Sequence, residues 1–161
     1  MTKFRIQLAA IVILVILAGS LLLSQKANPD AQLLFGLKRL QENVFLRFQS
    51  SPQSKVDYMS SLLNSRLTEL QNVVNQKKYD HVLPAASRYS TLAGRITDLV
   101  IANNLTDKVD SIENQFLNHQ QILDNLYVVY PKNIPDNVEW KYIQDDFNYL
   151  GLYLDKLEKV R

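Results

Sequence analysis

The chain has 161 residues, with 18 basic and 16 acidic side chains, no cysteine, four glycines and five prolines. That length holds one domain, or one domain plus an anchor. The lack of cysteine excludes disulfides, thiolate zinc sites and cysteine nucleophiles, and the scarcity of glycine and proline argues against a strand-rich fold. Three of the cations, Lys3, Arg5 and Lys26, flank an apolar segment; without them 15 basic residues face 16 acidic ones. The body therefore lacks the clustered positive charge that a nucleic-acid binder needs, and no nucleic-acid partner is expected.

Residues 6–23 form an apolar run broken only by Gln7 and the Gly19-Ser20 pair. As a helix this run spans about 27 Å, close to the hydrocarbon thickness of a bilayer. Its twelve Leu, Ile and Val side chains favour insertion by roughly 4 to 7 kcal/mol. Lys3 and Arg5 precede the run and Lys26 follows it, which places the N-terminus in the cytoplasm and the body outside. Ala18-Gly19-Ser20 is the competing signal-cleavage site, but cleavage there leaves a mature chain starting Leu21-Leu22-Leu23. A retained anchor contacting membrane lipid is the expectation. Ser20 has no thiol to lipidate. The domain plan is a cytoplasmic stub, anchor and linker over 1–28, then an extracytoplasmic body over 29–161.

Asn28-Pro29-Asp30 opens the body with a cap, a first-position proline and a first-turn acid. A first helix is predicted to about Gln49, with Leu33, Leu37, Leu40, Val44 and Phe48 on one stripe. Ser51 caps a second helix opened by Pro52, striped by Val56, Met59, Leu63, Leu67, Leu70 and Val74. Asp80 is read as the cap of a third, with Pro84 in its first turn and Ala86, Tyr89, Ala93, Ile96 and Val100 inward. Asn103-Asn104 stops it. Thr106 is read as the cap of a fourth, carrying Val109, Ile112, Phe116, His119, Leu123, Leu126 and Tyr130. After the Pro-containing hinge "PKNIPDN", a last helix over about 137–160 shows Trp140, Ile143, Phe147, Leu150, Leu154 and Leu157. The expected fold is all-α: a single N-terminal transmembrane helix, then an elongated antiparallel bundle of about five helices, because short connections favour antiparallel neighbours.

The stretch Gly36-Leu37-Lys38-Arg39 with Glu42, then Ser51-Pro52 and Lys55, then Arg66-Leu67 and Glu69, resembles a bacterial extracytoplasmic domain of unknown function. Members of that family are commonly membrane-tethered, and some form the outer part of anti-sigma factors. The resemblance implies location and helical shape, and it carries no activity. With five residues ahead of the apolar run, no sigma-binding domain is expected beside it. Read physically, Leu37, Leu40 and Leu67 are core positions, Lys38 and Glu42 pair along one helix, and Arg66 and Glu69 bridge the first two helices.

No motif points to catalysis. His81 and His119 are the only imidazoles and are unpaired in sequence; His119 falls on an apolar stripe, where a satisfied core histidine is expected. Asp145 and Asp146 project about 100° apart, so a metal would need Asp124 or Glu113 and His119 to converge with one of them. No enzyme activity and no cofactor are expected. The aromatic residues are more telling: seven of fifteen lie between Tyr127 and Tyr153. Tyr142, Tyr149 and Tyr153 make a second stripe on the last helix, which either packs within the bundle, lines a small-ligand groove or is the candidate surface for an envelope protein partner. A ligand-binding sensor bundle acting through a separate signalling subunit is the alternative.

Overall fold

The computed structural model describes residues 40–42 and 44–160, and every regular element among them is helical. The chain divides into two units, Met1–Phe48 and Gln49–Arg161. In the first, residues 40–42 and 44–48 are helical. Leu40, Val44 and Phe48 are exposed there, against the expectation that they face inward, and no other described element in that unit offers them a partner. Leu33, Leu37 and the predicted anchor lie outside the described residues. No helix among the described residues is long and apolar enough to cross a membrane.

The second unit holds four long helices: α1 (Pro52–Asn75), α2 (Val82–Ala102), α3 (Thr106–Val129) and α4 (Trp140–Glu158). Helix α1 begins as the sequence predicts. Ser51 is extended and its Oγ accepts from the Ser54 N–H at 3.1 Å, with Pro52 at the first position. It ends when Lys77 turns left-handed at φ 59°, so that Lys78 N–H reaches Val73 O and Lys77 N–H reaches Val74 O. Asn104 repeats this at the end of α2 with φ 54°, and Leu105 N–H bonds Val100 O. Asparagine tolerates that conformation, which is why Asn103-Asn104 stops the helix.

Two predicted caps are corrected. Asp80 lies in a 3-10 turn, Tyr79–His81, closed by His81 N–H on Lys78 O, so its side chain points to solvent and α2 starts two residues later without a side-chain cap. Thr106 is the first residue of α3, and Leu105 holds the cap position. Leu105 is 4 % exposed and its backbone N–H closes the end of α2, so one residue serves both helices. Helix α3 ends where Tyr130 becomes extended ahead of Pro131. The last helix starts at Trp140, three residues past the predicted Asn137, whose carboxamide oxygen instead accepts from the Tyr130 hydroxyl at 2.7 Å and the Glu139 N–H at 3.3 Å.

Inter-helix pairs fix the topology. Glu69 on α1 meets Arg88 on α2, and α1 and α2 form an antiparallel hairpin. Phe116 meets Tyr153, Gln120 bonds Phe147 O and Tyr127 meets Trp140, so α3 and α4 run antiparallel. Lys108 meets Asp57 and Gln115 meets Ser60 and Asn64, so α1 and α3 are parallel. Ser90 lies beside Asp146 and Gly94 against Tyr153, so α2 and α4 are parallel too. The bundle is thus two stacked hairpins. Although a short turn joins α2 to α3, they touch little and occupy a diagonal, which corrects the expectation that short connections make neighbours.

All the stripe residues predicted for α1, α2 and α3 are buried. On α4 only Ile143, Leu150 and Leu157 are fully buried, while Trp140, Phe147 and Leu154 are half-buried. The reason is that α4 presses its 143/150/157 line into the seam between α2 and α3, and Asp146 lies on that line.

Candidate functional site

The parallel pairing of α1 and α3 brings Ser60 and Asn64, four residues apart, opposite Gln115 and His119, also four apart. All four are polar, and they tie the two helices by side-chain hydrogen bonds. Ser60 Oγ donates to Gln115 Oε1 at 2.9 Å, and Gln115 Nε2 donates to Ser60 O at 2.9 Å and to Asn64 Oδ1 at 2.8 Å. His119 Nε2 lies 2.8 Å from the same Asn64 oxygen, and Nδ1 lies 3.0 Å from the Tyr89 hydroxyl. Because Asn64 Oδ1 can only accept, Nε2 carries the ring proton and Nδ1 accepts from Tyr89. The imidazole is neutral: burial lowers its pKa to about 4. His119 is thus the satisfied core histidine that its stripe position suggests.

Above this floor an open trench of about 480 Å³ runs between α1 and α3, lined by Asp57, Ser60, Asn64, Ser111, Gln115 and His119. At one end Lys108 Nζ neutralises Asp57 at 2.7 and 2.9 Å.

The polar path continues beyond Tyr89, whose pKa is raised by burial and then by the charge of Asp146. Asp146 on α4 is 2 % exposed and is pushed up to about 8 by burial, with Asp145 adding to the rise and the Ser90 hydroxyl opposing it. Among the described residues its Oδ2 has no hydrogen-bond partner. Sequence alone marks Asp145-Asp146 as candidate metal ligands and not Asp146 as a buried carboxyl; the signal for that is its spacing of three and four from Ile143 and Leu150. Among the described residues no three His, Asp or Glu side chains converge on a metal position, so Glu113, Asp124, Asp146 and His119 do not assemble.

The tyrosine stripe is divided. Tyr149 is 45 % exposed, whereas Tyr142 and Tyr153 are half-buried. Tyr149 and Tyr153 stack with centroids 6.4 Å apart, and Tyr153 also packs on Phe116 and crosses α2 at Gly94, where a Cβ would lie 2.8 Å from its hydroxyl. Leu152, 56 % exposed, lies one turn from Tyr149 on the outer side of α4.

Of the motif positions, Leu37, Lys38 and Arg39 lie outside the described residues, and Glu42 is half-buried in the first unit. Ser51 and Pro52 form the α1 cap, and Leu67 is buried. Arg66 and Glu69 pair within α1 at 3.3 Å, and it is Arg88 from α2 that makes the inter-helix bridge to Glu69. Residues three apart share one helix face, so Glu69 receives one guanidinium from its own helix and one from the next.

A family model described as a domain of unknown function, DUF5667, matches residues 26–133, so α4 lies beyond the matched region. No curated protein and no solved structure matches the chain. The expected relationship to a helical domain of unknown function is met over more than half of the sequence, and the chain belongs to the DUF5667 family.

Proposed function

We propose that this chain is a membrane-tethered, non-enzymatic helical module that holds an envelope protein partner on the extracytoplasmic side. The tether is the apolar run over residues 6–23 with Lys3 and Arg5 ahead of it. The observation that carries the docking role is the outer side of α4, where Tyr149 and Leu152 stand in solvent one turn apart. An exposed tyrosine ring beside a leucine buries apolar area on docking while its hydroxyl keeps a polar partner. Photocrosslinking from position 145, exposed one turn before Tyr149, should capture one dominant partner in native membranes. Tyr149→Asp and Leu152→Asp should abolish that capture with helicity retained; undiminished capture from both variants would refute this reading. A periplasm-active reporter fused after Arg161 tests the orientation, and activity confined to the cytosol would overturn it.

A second reading, a ligand-binding bundle working with a separate signalling partner, is favoured by the trench between α1 and α3. Six of its nine lining residues carry a hydroxyl or an amide, and its volume is within the range of small-molecule sites.

A further inference from the structure

We propose that α4 is a proton-dependent clasp, docking on α2 and α3 with Asp146 protonated and loosening as that proton is lost. The inference is independent of the tether and of any partner.

The geometry sets it up. Asp146 lies on the docking line of α4 between Ile143 and Leu150, both fully buried, so the helix cannot seat without taking this carboxyl out of water. Seated, Oδ2 finds no hydrogen-bond donor among the described residues. The groups that face it are Tyr89 and Ser90 from α2, Asp145 and Tyr153 from α4, and His119 of α3 through Tyr89. None is a cation at neutral pH, since His119 is held neutral by burial. A carboxylate in this place would be a desolvated anion beside another anion, whereas a carboxylic acid is tolerated.

The rest of α4 suits a movable part. It lies outside the family match over residues 26–133 and is joined to α3 by a largely exposed connection containing Pro131 and Pro135. Its first turn has no side-chain cap, and Gly151 sits in its interior.

The sign follows from linkage. The docked carboxyl titrates near 8 and a released one near the ordinary value of 3.8. Docking is therefore strongest below the released value and weakens about tenfold per pH unit as pH rises toward the docked value, then levels off. The clasp tightens when its surroundings acidify.

Trp140, the only tryptophan, is the first residue of α4 and packs on Tyr127 of α3 with centroids 5.8 Å apart. Two measurements on the full chain test the clasp. Amide exchange in α4, after correction for the intrinsic base-catalysed rate, should accelerate about tenfold per pH unit between pH 5 and 8 and stay less protected than α1 throughout. Trp140 fluorescence should report the same titration. Asp146→Asn should abolish the pH dependence, and Asp145→Asn, on an exposed position, should keep it. Corrected α4 exchange independent of pH, α4 protected as strongly as α1 at pH 8, or an Asp146→Asn profile matching the native one would overturn the proposal. The native-chain exchange result stands even if the variant does not fold.

Discussion

Asn64 holds two donors on one carboxamide oxygen, Gln115 Nε2 and His119 Nε2, each at 2.8 Å. That shared acceptor fixes the histidine tautomer and makes Tyr89 the obligatory donor to Nδ1 at 3.0 Å. Tyr89→Phe keeps the ring and its packing but leaves a buried imidazole nitrogen unpaired, so it should destabilise the bundle by about 1 to 3 kcal/mol. Urea unfolding with an unchanged denaturant slope checks this, and an unaltered midpoint would show that the hydrogen bond contributes nothing. At this scale the sequence was only half legible. His119 on an apolar stripe announced a satisfied core histidine, but its partners come from α1 and α2, and no local spacing links positions 64, 89 and 119. Arg88 was missed as the partner of Glu69 for the same reason.

Helix ends show how local chemistry is read and misread. Ser51-Pro52 was legible because the cap bond, Oγ to the Ser54 N–H, closes within four residues. Asp80 and Thr106 look equally good as caps, yet adjacent turns had already committed their backbone, Asp80 to a 3-10 turn and Thr106 to the helix that follows the end of α2. The α1 terminus offers a direct prediction. Lys77 adopts φ 59° without the freedom of glycine, and its side chain is exposed. Lys77→Gly should raise stability by about 1 kcal/mol, read as a higher thermal midpoint, because the left-handed strain disappears. A lowered midpoint would mean that the added freedom of the unfolded chain outweighs it. The apolar stripes were the most legible feature of all, since burial against one seam requires the three-four repeat. On α4 the repeat was right but its axis was off: the buried line runs through Asp146, so the half-buried Trp140, Phe147 and Leu154 flank the seam.

For the whole molecule, two buried titratable groups oppose each other with pH. His119 has a depressed pKa, so the stability linked to it is present above its ordinary value of 6.5 and is lost as pH falls toward about 4. Asp146 has a raised pKa, so its contribution is full below 3.8 and is lost as pH rises toward about 8. Between roughly pH 4 and 6.5 the two slopes cancel, and from 6.5 to 8 only the Asp146 loss remains. Relative to the native chain, Asp146→Asn should therefore gain stability progressively from pH 6.5 to 8 in parallel denaturant titrations. A constant difference across that window would refute the assignment. The stacking of the two hairpins, by contrast, could not be read from the sequence. Connection length limits how far apart two ends can be, but it does not say which pair of helices lies across the diagonal, and that depends on apolar faces meeting over the whole bundle.

That stacking has a mechanical consequence. Helix α1 rises and α4 descends, so Ser51 and Glu158 emerge at the same end, while the turns at 76–81 and 130–139 lie at the other. A load drawn between the two chain ends would not shear long helix faces past each other. It would prise them open from one side, a few contacts at a time, so this bundle should yield to modest tension despite its closely packed interior.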